Sequence, residues 1–128
     1  MSNKFSNGSI WVRFDCHLHT RADKEFKYSE NENEYITKYI EKLKAEEIEV
    51  GIITNHNKFD IEEYKALKKK ANKENIFILP GVELSVNDGS NGIHCLIVFN
   101  PDEWLENGNN YISQFIIESF AGKANYEK

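Results

Sequence analysis

Apolar positions along this chain follow two rhythms, short unbroken runs and stretches spaced at three and four residues, and together they predict a β-α-β-α-β-β-α order of elements. Residues 10–15 (IWVRFD) read as a first strand that runs on into His17-Leu18-His19. Ile36, Tyr39, Ile40 and Leu43 recur at i, i+3, i+4 and i+7, which predicts an amphipathic helix over 34–46 feeding a strand over 50–54, a β-α-β unit. Asp60 with Glu63 three residues on makes a capping box, and Ile61, Tyr64, Leu67 and Ala71 form the buried stripe of a second helix. A third strand over 76–79 is expected to stop at Pro80-Gly81 and resume over 82–86; NDGSNG then reads as a turn, and 93–99 as the returning strand. A last helix over 110–120 carries Ile112, Phe115, Ile116 and Phe120 on one face. Between the first strand and the first helix lies a long polar loop, TRADKEFKYSENENE, and a loop of that length usually has a task.

Composition adds limits. A chain of 128 residues is the size of one domain, 1–128, and can bury a core, yet is well short of the roughly 250 residues of a full β/α barrel. The hydrophobic fraction of 40 %, charged fraction of 29 % and net charge of −5 describe a globular domain without overall attraction to nucleic acid or anionic membranes. Lys65, Lys68, Lys69, Lys70 and Lys73 could touch a phosphate backbone, but they share a helix with an apolar face and have no interleaved aromatics, so they read as a solvated surface. No run reaches the length of a membrane span, and MSNKFSNGS lacks the apolar centre of a signal peptide, so a cytoplasmic location is expected. Cys16 and Cys95 each neighbour a histidine. Strand alternation turns them to the opposite face, so both are expected to be buried thiols, unpaired in a reducing compartment.

The histidines carry the chemistry. All four lie in or just after a predicted strand: His17 and His19 in FDCHLHT, His56 in GIITNHN and His94 in GIHCLIVF. Glu83, in LPGVELSV, ends a further run. A His-x-His pair on a strand puts two imidazoles on one face, close enough for adjacent positions around one ion. A single histidine is more often a hydrogen-bonded core residue; the joint pattern points to a metal centre at one rim of a β/α barrel. Neutral imidazoles with a carboxylate suit zinc, manganese or ferrous iron, and Glu83 can bridge two ions where a histidine cannot.

In order and spacing, FDCHLHT, ITNHN, PGVELS and HCLIVF resemble the first motifs of the PHP (polymerase and histidinol phosphatase) superfamily, over roughly residues 10–99. The resemblance implies a distorted seven-stranded β/α barrel that hydrolyses phosphate esters with two or three metal ions. By that likeness His17 and His19 bind a first ion with Glu83, which bridges to a second; His94 is a second-ion ligand, and His56 helps hold a third. Glu83 and Asp15 are then the catalytic candidates, Asp15 as the residue that orients an imidazole, with strand-end capping as its rival role. Arg21 and Lys58, just beyond the ligand-bearing turns, are candidates for phosphate contacts, with solvated charge as theirs. The opening GSIWVRFDCHLHT also looks like the N-terminal PHP segment of large SMC-like or AAA-like ATPases, some associated with bacterial defence.

The chain departs from the PHP pattern in two places. Asn55-His56 stands where Asp-His is usual, and the Ser-Asp-Gly after His-x-His is missing, leaving Asp23 or Glu25 to supply that carboxylate. PHP barrels also take ligands from their second half, and no histidine follows His94. The expectation is therefore a partial α/β barrel of the PHP type, incomplete at its C-terminal end. It would be completed by the rest of the domain or an ATPase partner, and would be a homo-oligomer when isolated. The expected activity is metal-dependent phosphoester hydrolysis of a phosphate ester or nucleic acid. A catalytically silent, metal-binding module attached to an ATPase is the alternative. Hydrolysis of carbon–nitrogen or carbon–oxygen bonds is a third reading, without the lysine carboxylate or late histidines such enzymes use.

Overall fold

The computed structural model describes residues 6, 8–88 and 91–120. Its elements are β1 (Phe14–Leu18), α1 (Tyr35–Ala45), β2 (Val50–Ile53), α2 (Ile61–Lys73), β3 (Phe77–Asp88), β4 (Asn91–Val98), α3 (Pro101–Trp104) and α4 (Tyr111–Phe120). The strands form one sheet in the order β1-β2-β3-β4, parallel from β1 to β3 and antiparallel between β3 and β4. The sheet is curled like half a barrel, a mixed α/β arrangement compatible with a partial barrel. Among the described residues no helix is long and apolar enough to cross a membrane.

The helices bury the stripes that their spacing sets out. Ile40 and Leu43 of α1, Tyr64, Leu67 and Ala71 of α2, and Ile112 and Ile116 of α4 meet Ile53, Ile78, Val82 and Leu84 from one face of the sheet. Each fully buried Leu or Ile contributes about 1.5–3 kcal/mol relative to exposure. The side chain of Phe120, the last position of the expected stripe on α4, lies outside the described residues. The Asp60 carboxylate accepts from Glu63 N–H at 3.1 Å, which is half of the expected capping box. The Glu63 carboxylate goes elsewhere.

Three expectations need correction. The first strand begins at Phe14, because its ladder starts at Phe14↔Val50; Ile10 and Trp11 precede it at 56 % and 95 % exposure. β3 does not stop at Pro80-Gly81 but runs unbroken through them. Its first half pairs with β2 as far as Ile53↔Pro80, and its second half pairs with β4 from Gly81↔Val98. Proline, lacking an N–H, sits where the ladder changes partner, and its carbonyl accepts from Phe99 N–H at 3.0 Å. A Cβ at position 81 would lie 2.6 Å from the Ile97 carbonyl oxygen and 3.1 Å from that of Ile53, so only glycine fits between the flanking strands. The β3–β4 ladder continues to Asp88↔Asn91, so most of the expected turn is strand, and its central Gly89-Ser90 lies outside the described residues.

Both cysteines are free and exposed, against the expectation of burial. A register shift between Asp15 and Leu18 breaks the strict alternation that would have turned Cys16 inward. Cys95 shares its face with buried Leu84, yet it belongs to β4, the last strand of the sheet, where it stays uncovered.

Candidate metal centre

The C-terminal ends of the parallel strands bring the ligand candidates together. β2 continues past Ile53 as an isolated parallel bridge between His56 and Glu83. Asn57 makes this possible by turning the chain at φ 49° while its side-chain oxygen accepts from Ser85 N–H at 3.2 Å. His94 pairs with Ser85 across the antiparallel ladder, two residues along from the Glu83↔Leu96 pair and so on the same face. The irregularity in β1 places His17 and His19 on the remaining side.

All four imidazoles surround one carboxylate. Glu83, 1 % exposed, has Oε2 at 2.7 Å from His17 Nε2, 2.9 Å from His19 Nε2 and 3.2 Å from His56 Nε2. Its Oε1 lies 2.6 Å from His94 Nδ1. The rings pack edge to face, with centroids 4.9 Å apart for His17–His19, 4.7 Å for His19–His56 and 5.8 Å for His56–His94. Burial alone would push the Glu83 carboxyl up. The hydrogen bonds from His17, His19 and His94, with His56 close by, outweigh it and hold the group down at about 2.

A second carboxylate backs this cluster. Buried Asp23, from the long polar loop, accepts from both the main-chain N–H of His56 at 2.8 Å and its Nδ1 at 2.9 Å, and lies 3.7 Å from His19 Nδ1. Burial raises its pKa, and hydrogen bonds from Glu25 and His56 bring it below the usual carboxylate range. Glu25 reaches within 3.8 Å of His56 Nδ1. Of the two candidates for the missing acidic position, Asp23 is thus the buried, doubly bonded one.

Divalent cations fit this donor set. Three ring nitrogens converge on Glu83 Oε2, and His17 Nε2 and His19 Nε2 are only 3.1 Å apart. A carboxylate oxygen has about two lone-pair directions, so hydrogen bonds alone leave one nitrogen poorly served. Cations that take the nitrogen lone pairs and share the carboxylate resolve the crowding. Three ligand groups meet on the residues present: His17, His19 and Glu83; His56, Glu83 and His94; and His19, Asp23, Glu25 and His56. Glu83, His19 and His56 each belong to two of them, and of the three only the carboxylate, with two oxygens, can bridge two ions.

The remaining candidates stand further back. Asp15 accepts from the main-chain N–H of His17 at 2.9 Å, so its described contact shapes the backbone beneath the imidazole. Arg21 turns its guanidinium over the Tyr35 ring, 4.5 Å from its centre, and towards Glu32 at 3.4 Å. Lys58 is exposed and lines a small cleft with Asn57, Phe59, Ser113, Ile116 and Ile117.

Sequence reasoning passed over a buried polar knot behind His19. Thr20, wholly buried, donates its main-chain N–H to Asn55 Oδ1 at 2.8 Å and its hydroxyl to Glu63, while its Oγ1 accepts from Asn55 Nδ2 at 2.8 Å. The Glu63 carboxylate also takes the Ala22 N–H, and burial pushes its pKa up. Tyr39 Oη donates to the His19 carbonyl at 2.8 Å, and Arg21 N–H donates to Tyr35 Oη at 2.8 Å. The chain carries no local signal for this knot, because its members come from the polar loop, α1, the segment after β2 and α2.

No protein-family model matches the chain, and no curated protein does so either. Among solved structures it resembles an amidohydrolase from Chromobacterium violaceum, determined with bound sulfate and no metal, at 22 % identity and a TM-score of 0.54 over 72 % of this chain and 30 % of that one. It also resembles a candidate metal-dependent phosphoesterase from Bifidobacterium adolescentis, at 15 % identity and a TM-score of 0.57 over 84 % of this chain and 32 % of that one. These likenesses establish a fold shared with hydrolases, and the chain spans about a third of the length of either structure.

Proposed function

We propose that this chain carries the metal-binding half of a divalent-metal-dependent hydrolase acting on phosphate esters, of the kind the PHP resemblance implies. The observation that carries the reading is the buried Glu83 carboxylate with ring nitrogens of His17, His19, His56 and His94 all within 3.2 Å of its oxygens. Zinc, manganese or ferrous ions, two or three in number, would draw their ligands from the three overlapping groups, with Glu83 as the bridge and His19 and His56 each serving one ion. Bound there, they would supply Lewis acidity towards a phosphoryl oxygen and lower the pKa of a water molecule.

The chain's own residues then have distinct tasks. Glu83 supplies the shared negative charge; Asp23 fixes the orientation of His56 through Nδ1, leaving Nε2 turned to the centre. Asp15 holds the main chain of His17. Lys58, exposed and two residues from His56 in the sequence, is the candidate for a phosphate contact, whereas Arg21 would first have to leave Glu32 and Tyr35. Phosphate esters are favoured because several cations clustered on one carboxylate suit a substrate whose charge is spread over several oxygens. The amidohydrolase similarity supports hydrolysis of a carbon–nitrogen bond as the second reading.

Metal analysis of protein purified without chelator should show at least one equivalent of a divalent transition metal, lost in the His17→Ala/His19→Ala double variant. Unchanged metal content in that variant would overturn the reading. Manganese- or zinc-dependent cleavage of bis-p-nitrophenyl phosphate, with an anilide left intact, is the expected selectivity; the reverse preference would establish the second reading.

A further inference from the structure

The departure at Asn55 has a counterpart in the buried knot. A threonine hydroxyl has one proton to give and two lone pairs to receive. Here the proton goes to Glu63, and Asn55 Nδ2 donates into the Thr20 oxygen. Thr20 is 0 % exposed and Asn55 2 %, so no bulk water can correct a mismatch. An aspartate at this position would keep the Thr20 N–H on one oxygen but set its other oxygen against a hydroxyl whose only proton is already committed, leaving that buried oxygen without a donor.

We propose that Asn55, Thr20 and Glu63 form a directional hydrogen-bond relay that positions the loop carrying His19 and Asp23, and that the Asn55 amide is required because Glu63 already takes the Thr20 proton. Thr20 follows His19 directly, and its carbonyl accepts from Asp23 N–H at 2.9 Å, so the relay is one bond from each ligand-bearing residue. On the other side, Asn55 precedes His56, and its carbonyl accepts from Glu83 N–H at 2.9 Å. Asn55, Thr20 and Glu63 are positioning residues: none is in a ligand group, yet the relay ties the loop to the bridge that carries Glu83. The Asn55 amide is then an exchange of charge with Glu63 rather than a loss from the metal centre.

A double-variant cycle tests the relay, with metal binding as a readout that rests on the hydrolase reading and melting of the metal-free protein as one that does not. Asn55→Asp should lower the melting temperature and weaken cobalt(II) affinity, read from its visible absorption, by about 10- to 100-fold, as is typical when a group supporting a ligand is lost. Adding Glu63→Gln should recover most of both, because the Thr20 hydroxyl can then donate to the carboxylate introduced by the first substitution and receive from the amide introduced by the second. Thr20→Ser should behave as the parent, and Thr20→Val should lose affinity. Additive effects of the two substitutions, in melting and in cobalt affinity, would overturn the relay. If Asn55→Asp fails to fold, a folded Asn55→Asp/Glu63→Gln variant is the expected result, and an unfolded one overturns the proposal. If the parent chain binds no cobalt, the hydrolase reading fails, and coupling in the melting temperatures still decides the relay.

Discussion

Glu83 and His56 are locked side by side by two main-chain bonds, Glu83 N–H to the Asn55 carbonyl at 2.9 Å and Asn57 N–H to the Glu83 carbonyl at 2.8 Å. The carboxylate and imidazole are thus held by backbone and not by side-chain packing alone.

Glu83→Gln should therefore preserve the fold while removing the charge that two ligand groups share. Metal affinity is expected to fall by more than the about 10- to 100-fold typical of supporting residues, with the circular dichroism spectrum unchanged. Isothermal titration with zinc checks this, and parent-like affinity in the variant would remove Glu83 from the centre.

Gly81→Ala pits two effects against each other. Restricting the unfolded chain gains about 0.4–1 kcal/mol, whereas overpacking costs about 1–3 kcal/mol and sometimes more. The new Cβ would lie 2.6 Å from the Ile97 carbonyl oxygen and 3.1 Å from that of Ile53, and neither can move aside as a side-chain tip can. Net destabilisation of about 2 kcal/mol should appear as a lower urea midpoint; an unchanged midpoint would show that β3 and β4 separate easily.

Alkaline pH should unfold the protein through its tyrosines. Burial pushes Tyr35 up to about 12 and raises Tyr39 and Tyr64 as well. A folded-state pKa above the unfolded value means stability that is complete below pH about 10 and is lost as pH climbs towards about 12. Tyrosinate absorbance from these residues should rise together with loss of helical signal, and ionisation well before unfolding would contradict the burial described.

We also propose that the chain self-associates. The outer edges of β1 and β4 have no strand partner among the described residues, and Ile93, Leu96 and Val98 on β4 are 48 %, 37 % and 46 % exposed. Light scattering over a dilution series should show a dimer or larger species that dissociates on dilution. A monomer at every concentration would refute it.

What the sequence made legible was whatever rests on local spacing. The stripe Ile36, Tyr39, Ile40 and Leu43 located α1, and Asp60 marked the start of α2. The ligand candidates were legible as well, since each lies in or at the end of an apolar run, and the structure gathers His17, His19, His56 and His94 on Glu83. Features that depend on tertiary pairing were not. Pro80-Gly81 reads locally as a stop, and only the presence of β2 on one side and β4 on the other turns it into a change of partner. Glu63 reads locally as the second half of a capping box, and only the folded loop brings Thr20 to claim its carboxylate. Cys16 reads as buried because alternation is assumed, and a single irregularity in β1 undoes the assumption.

The unbroken course of β3 serves two environments with one main chain. The same main chain supplies Ile78 and Val82 to the hydrophobic interior and, one residue after Val82, Glu83 to the polar centre. A slip of one residue in its register would expose the first pair and invert the carboxylate in a single movement. Burial of the core and the orientation of the Glu83 carboxylate consequently hang on one and the same register, and a partly ordered β3 should lose both together.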